Sequence, residues 1–166
     1  EIMPSLVGSE MCIRDSVCIV NGDTYASYVN GGIMSATGFY PVLMSSDVDT
    51  AAGFYRDLLG FQTTFETDWY VSLRLDAFEL AILAHDHPTV PGDYRALPKG
   101  VIVNLEVEDV DAMHDKLTSR GDVECVLPIR SEDFGQRHFI VAAPDGVLLD
   151  VIQPIAPSGE YADAYQ

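Results

Sequence analysis

Glu79, in AFELAIL, and Asp150, in VLLDVIQ, are carboxylates set into apolar runs that read as strands. Strand alternation puts Phe78, Leu80 and Ile82 on one face, suited to packing on a helix, and leaves Glu79 with the small Ala77 and Ala81 on the other. The same parity sets Asp150 opposite Val147, Leu149 and Val151. A carboxylate buried without a partner is costly, so each must be solvated, paired with Arg74 or Arg137, or placed to meet a cationic ligand. Aromatic residues supply the other half of such a surface. Trp69 follows an acidic pair in ETDWY, and Phe134 sits in EDFGQR. A flat ring beside negative charge is what a planar cation needs. Tyr40 shares a strand face with Val42 and Met44, and Asn104 shares one with Ile102 and Glu106. The candidate ligand-binding set is therefore Tyr40, Trp69, Arg74, Glu79, Asn104, Phe134 and Asp150.

Other chemistries find less support. His85 and His87 fall in a polar connection and His114 on a helix face expected to be solvated, which leaves His138 as the histidine expected on a strand. No serine stands in a nucleophile-elbow context, so covalent catalysis is not indicated. Cys12, Cys18 and Cys125 have neither the pairing of a disulfide framework nor the spacing of a zinc site, which points to a reducing, cytoplasmic setting. The 166 residues carry 9 basic and 26 acidic side chains, a net charge of -17. Such a chain repels phosphate backbones and anionic lipid, so nucleic acid and membrane are excluded as partners and a cationic or neutral small molecule is favoured. No apolar run reaches the ~18 residues of a membrane helix.

These residues must be held by a single domain of ordinary globular composition. FYPVLMSSDVDTAAGFYRDLLGF, from Phe39, reads as a strand, an acidic cap at Asp47 or Asp49, and a helix with Ala51, Ala52, Tyr55, Leu58 and Leu59 on one face. Gly60 is its stop. Strands are expected at 61–67, 69–75 and 77–84, and a Pro/Gly-rich linker at 85–100. The same order then returns: strand 101–108, a helix stopped by Gly121, and strands 123–130, 137–143 and 147–153. The tripeptide DVD at 47–49 is repeated at 109–111. The expectation is an α+β fold of two βαβββ modules, 39–84 and 101–153, whose open sheet faces form a concave mixed sheet. They lie in one domain of residues 34–156, followed by a tail of 157–166. Residues 1–33 show no sustained period and read as a non-native or disordered extension. LVGSEMCIRDS within them resembles the translation of a transposase adapter used in building metagenomic sequencing libraries, so the natural start is expected near Met34.

SSDVDTAAGFYRDLLGF, VEDVDAMHDKLTSRG and APDGVLLDVIQP together resemble the glyoxalase, bleomycin-resistance and extradiol-dioxygenase superfamily, also called vicinal oxygen chelate proteins. The resemblance spans residues 39–155. It implies that an enzyme of this kind would hold a divalent metal with His or Glu from the first strand of each module and Glu from the last. Aligning the DVD repeats puts Tyr40 and Ile102 at the first-strand positions, neither a usual ligand, with Glu79 and Asp150 at the last-strand positions. Drug-binding members place aromatic beside acidic residues, as at Trp69 and Phe134. The resemblance thus implies a metal-independent binding homodimer, rather than an enzyme, that sequesters a cationic or aromatic compound such as an antibiotic. The alternative is a lyase, isomerase or dioxygenase with one divalent ion on Glu79, His138 and Asp150.

Overall fold

The computed structural model describes residues 18–20, 23–25 and 37–162, and the chain divides into two compact units, Glu1–Gly38 and Phe39–Gln166. In the first unit β1 (Cys18–Val20) pairs antiparallel with β2 (Asp23–Tyr25). The adapter-like stretch and the candidate start at Met34 lie outside the described residues.

The second unit holds the tandem modules. β3 (Val42–Ser45) leads into α1 (Val48–Gly53), followed by β4 (Gln62–Glu66), β5 (Tyr70–Leu75) and β6 (Phe78–Ala84). β7 (Ile102–Glu106), α2 (Val110–Thr118), β8 (Cys125–Glu132), β9 (Gln136–Ala142) and β10 (Leu148–Pro154) repeat that order. Each half folds its strands in the sequence first, last, third, second, giving sheets β3-β6-β5-β4 and β7-β10-β9-β8 with the first strand parallel to the last. The expected fold of two mixed four-stranded sheets is present.

Both helices start on an acidic cap, expected for the first and found also for the second. Asp47 accepts from the Thr50 amide at 3.1 Å and Asp109 from the Ala112 amide at 2.9 Å, each using one of the free donors of a first turn. Asp49, the other candidate cap, instead pairs with Arg56 at 3.1 Å. Gly60 and Gly121 end the helical segments with positive φ, 83° and 74°, where a side chain would be strained. After α1 the backbone widens to a π-turn over Phe54–Leu58, where a continuous α-helix was expected. The eighth strand runs to Glu132 rather than ending at Arg130. It carries Pro128 on the outer edge of its sheet, and two register shifts absorb the missing N–H.

One hydrophobic cluster joins the halves, with Tyr55, Leu58, Leu73 and Ile82 from the first and Leu117, Phe139, Leu149 and Val151 from the second. A polar clasp adds to it. Asp145, in the β9–β10 turn, accepts from the Ser45 hydroxyl at 2.5 Å, the Ser46 hydroxyl at 2.6 Å and the Ser46 amide at 3.2 Å. Burial alone would raise the Asp145 carboxyl, but these three donors and nearby His85 outweigh it and hold it below the usual range.

Candidate functional site

The helix-packed faces hold Leu43, Val71, Leu73, Leu80 and Ile82 in the first module and Leu149 and Val151 in the second, as alternation places them. Phe78 departs from this pattern. It is 71% exposed, because it opens β6 at the β5–β6 turn instead of packing under a helix.

On the open face of the first sheet Arg74 stands directly across from Glu79, and Tyr70 across from Leu83. Tyr40 lies within hydrogen-bonding reach of Tyr70. That bond, slight desolvation and the Glu79 carboxylate together hold the Tyr40 phenol above the ordinary tyrosine value. Trp69, at the head of β5, stacks on the linker residue His87 at 3.9 Å and 7°. The linker thus contributes a ring to this sheet, which its composition did not suggest.

The open face of the second sheet is covered over β9 and β10, while Ile102, Asn104 and Glu106 on β7 stay exposed. His138 and Asp150 are 6% and 8% exposed. The carboxylate can only accept, so His138 Nδ1–H donates to Asp150 Oδ1 at 2.9 Å. His138 Nε2 is buried without a hydrogen bond, 3.6 Å from Glu132 Oε1, and that oxygen also takes Arg130 Nε at 2.5 Å. The Phe134 ring meets His138 edge-on at 6.4 Å, and Tyr161 meets Phe134 at 6.2 Å. The residues expected as a tail dock here. The Ile155 amide donates to Gly135 O at 2.9 Å and the Ser158 amide to Asp133 O at 2.8 Å. Arg137, one expected partner of Asp150, faces the other way and binds Asp111 at 2.6 Å. His114, expected on a solvated helix face, packs edge-on against Phe139 at 5.0 Å.

The strand ladders also correct the pairing of Glu79 with Asp150 as equivalent positions. Val42 stands across from Ala81, and Asn104, its counterpart in the repeat, stands across from Asp150. Ala81 is therefore the match of Asp150, and Glu79 lies one pleat repeat away. The divalent metal held by the superfamily's enzymes does not fit these residues. Tyr40 is engaged with Tyr70, Ile102 has no donor atom, and Asp150 is committed to His138. Glu79 is not brought to His138 and Asp150, and among the described residues no three His, Cys, Asp or Glu side chains gather as a metal needs.

A cleft of about 470 Å³ opens at the seam between the modules. The end of the first helical segment gives it Tyr55 and Leu59, the β5–β6 hairpin Phe78 and Glu79, and β7 Asn104 and Glu106. Its walls are mainly apolar, while Glu79 and Glu106 are exposed. Of the candidate set, Glu79 and Asn104 meet in this cleft. Tyr40 and Arg74 flank Glu79 on the sheet, Trp69 stacks apart, and Phe134 and Asp150 belong to the covered part of the second sheet. Tyr55 and Glu106 were not selected from the sequence. Alternation did put Glu106 beside Asn104, and helical spacing did mark Tyr55 as buried.

Residues 39–151 match the family model "Glyoxalase/Bleomycin resistance protein/Dioxygenase superfamily". The chain belongs to this superfamily. A bleomycin resistance protein of Geobacillus stearothermophilus is 22% identical over 125 residues, covering 69% of this chain and 95% of that protein. The bleomycin-binding protein of Streptomyces verticillus, solved with copper(II)-bleomycin, superposes with a TM-score of 0.52 at 24% identity over 77% of this chain and 100% of that one. A lactoylglutathione lyase from Agrobacterium tumefaciens superposes with a TM-score of 0.58 at 15% identity over 72% and 95%. Binding protein and enzyme thus share this fold, so the choice between them rests on the site. No helix among the described residues is long and apolar enough to cross a membrane.

Proposed function

We propose that this superfamily member is a metal-independent binding protein that sequesters a cationic or aromatic small molecule in the seam cleft, with an antibiotic as one such ligand. The observation that carries the reading is the cleft itself: apolar walls give a ligand area to bury, while Glu79 and Glu106 supply charge for a cation. The net charge of -17 favours the approach of cations over anions. The bleomycin resistance and bleomycin-binding relatives support a small-molecule ligand of this kind. The working unit is a cytoplasmic homodimer, supported by the exposed apolar side chains of Tyr40, Val42, Phe78 and Ile102 along the first strands and the seam.

Thermal unfolding with bleomycin, copper(II)-bleomycin and unrelated cationic aromatic drugs tests this. A ligand at a hundred times its Kd stabilises by about 2.7 kcal/mol, well within the reach of a melting curve. The shift should shrink in a Glu79→Gln, Glu106→Gln double variant. Absence of stabilisation by any such cation, or a shift unchanged in the double variant, would sink the reading.

A further inference from the structure

Tyr55 is the only hydroxyl-bearing residue among those lining the cleft, and it also borders a small cavity with Ser45 and Asp145. Its side chain is 2% exposed, held edge-on by Phe54 at 5.3 Å and Phe61 at 6.0 Å, on the π-turn that interrupts the first helical segment. Local π geometry is found frequently at functional sites, because it re-aims side chains that a regular helix would fix elsewhere. The hydroxyl has no hydrogen-bond partner among the described residues, and desolvation alone pushes the phenol well above its ordinary value. The oxygen is not among the fully buried unpaired atoms, so it keeps some accessible surface and can meet an incoming acceptor.

We infer that the Tyr55 hydroxyl is the inner anchor of the seam cleft, and that the ligand is an amphipathic organic cation bearing a hydrogen-bond acceptor at the end opposite its charge. Glu79 and Glu106 take the cationic end, the apolar walls take the body, and the phenol donates to a carbonyl or similar oxygen within. The inference rests on the cleft being the small-molecule site.

Three probes separate the two statements in titration calorimetry. 4-(4-Aminobutyl)acetophenone carries ammonium, ring and carbonyl; 4-(4-ethylphenyl)butylamine lacks the carbonyl; 4-butylacetophenone lacks the ammonium. Tyr55→Phe should weaken the amino-ketone about tenfold and leave the ethyl amine unchanged. Glu79→Gln with Glu106→Gln should weaken both amines and spare the neutral ketone. If Tyr55→Phe treats the two amines alike while the carboxylates still matter, the anchor is overturned and the cleft reading survives. If neither amine binds the unaltered protein, both statements fall. Tyr55→Phe should melt at or above the temperature of the parent; a clear fall would mean the hydroxyl serves the fold, and would also overturn the anchor.

Discussion

The two open sheet faces descend from one repeated plan yet have opposite surroundings. The first exposes Tyr40, Val42 and Phe65 and keeps Arg74 and Glu79 in solvent. The second leaves Ile102, Asn104 and Glu106 exposed on β7 but buries His138, Asp150 and Ile152 on β9 and β10, where the Phe134 turn packs on His138 and is itself joined by Ile155, Ser158 and Tyr161. One hairpin tip and a few C-terminal residues make the difference. A carboxylate on the open face is free to meet a ligand, whereas a carboxylate on the covered strands becomes part of the interior and must be satisfied there.

The largest test of that contrast compares Asp150→Ala with Glu79→Ala. The first leaves His138 buried with both ring nitrogens unpaired and should cost about 3 kcal/mol in denaturant unfolding. The second should stay within about 0.5 kcal/mol, as exposed substitutions do. Equal losses would erase the distinction between the faces. Next comes Gly135→Ala, at φ 99°, where a Cβ would meet Ile155 O at 3.1 Å. Strain and a displaced C-terminal strap together should cost about 2 kcal/mol and increase protease cleavage after Ile155.

Acid should loosen the clasp. The Asp145 carboxyl is held below its usual range in the folded chain, so its contribution is fully present above the unfolded pKa and fades as pH falls through the folded one. Asp145→Asn should therefore be less stable than the parent at neutral pH, and the gap should close in acid; a gap constant with pH would refute the clasp as a charged one. The smallest effect concerns the linker stacked on the first sheet. His87→Ala removes the ring stacked on Trp69 and should cost less than about 1 kcal/mol while changing the emission of the chain's single tryptophan.

The features legible in the sequence are those set by neighbours along the chain. Alternation gave the faces of Glu79, Asn104 and Asp150, Asp47 announced the first helix, and Gly121 marked the end of the second. Features set by neighbours across strands were not legible. Alternation cannot say that Ala81 rather than Glu79 aligns with Asp150, because a two-residue slip preserves every face. His138 became the partner of Asp150 through the β9–β10 register, in which Ile152 stands across from His138. Helical spacing marked Tyr55 as buried without distinguishing a packed core from the wall of a cleft. The docking of Ser158 on Asp133 left no periodic trace, since it joins two irregular segments.

The Ser45–Asp145 and Ser46–Asp145 bonds join residues 100 and 99 positions apart in the chain. Such closure carries a large loop entropy and cannot precede the turn that presents Asp145, so the contact belongs to the last stage of assembly. A nascent chain can complete its first βαβββ unit long before Asp145 is made, leaving Ser45 to wait for its acceptor. In a protein built from a doubled motif, that bond records whether the two copies have found each other.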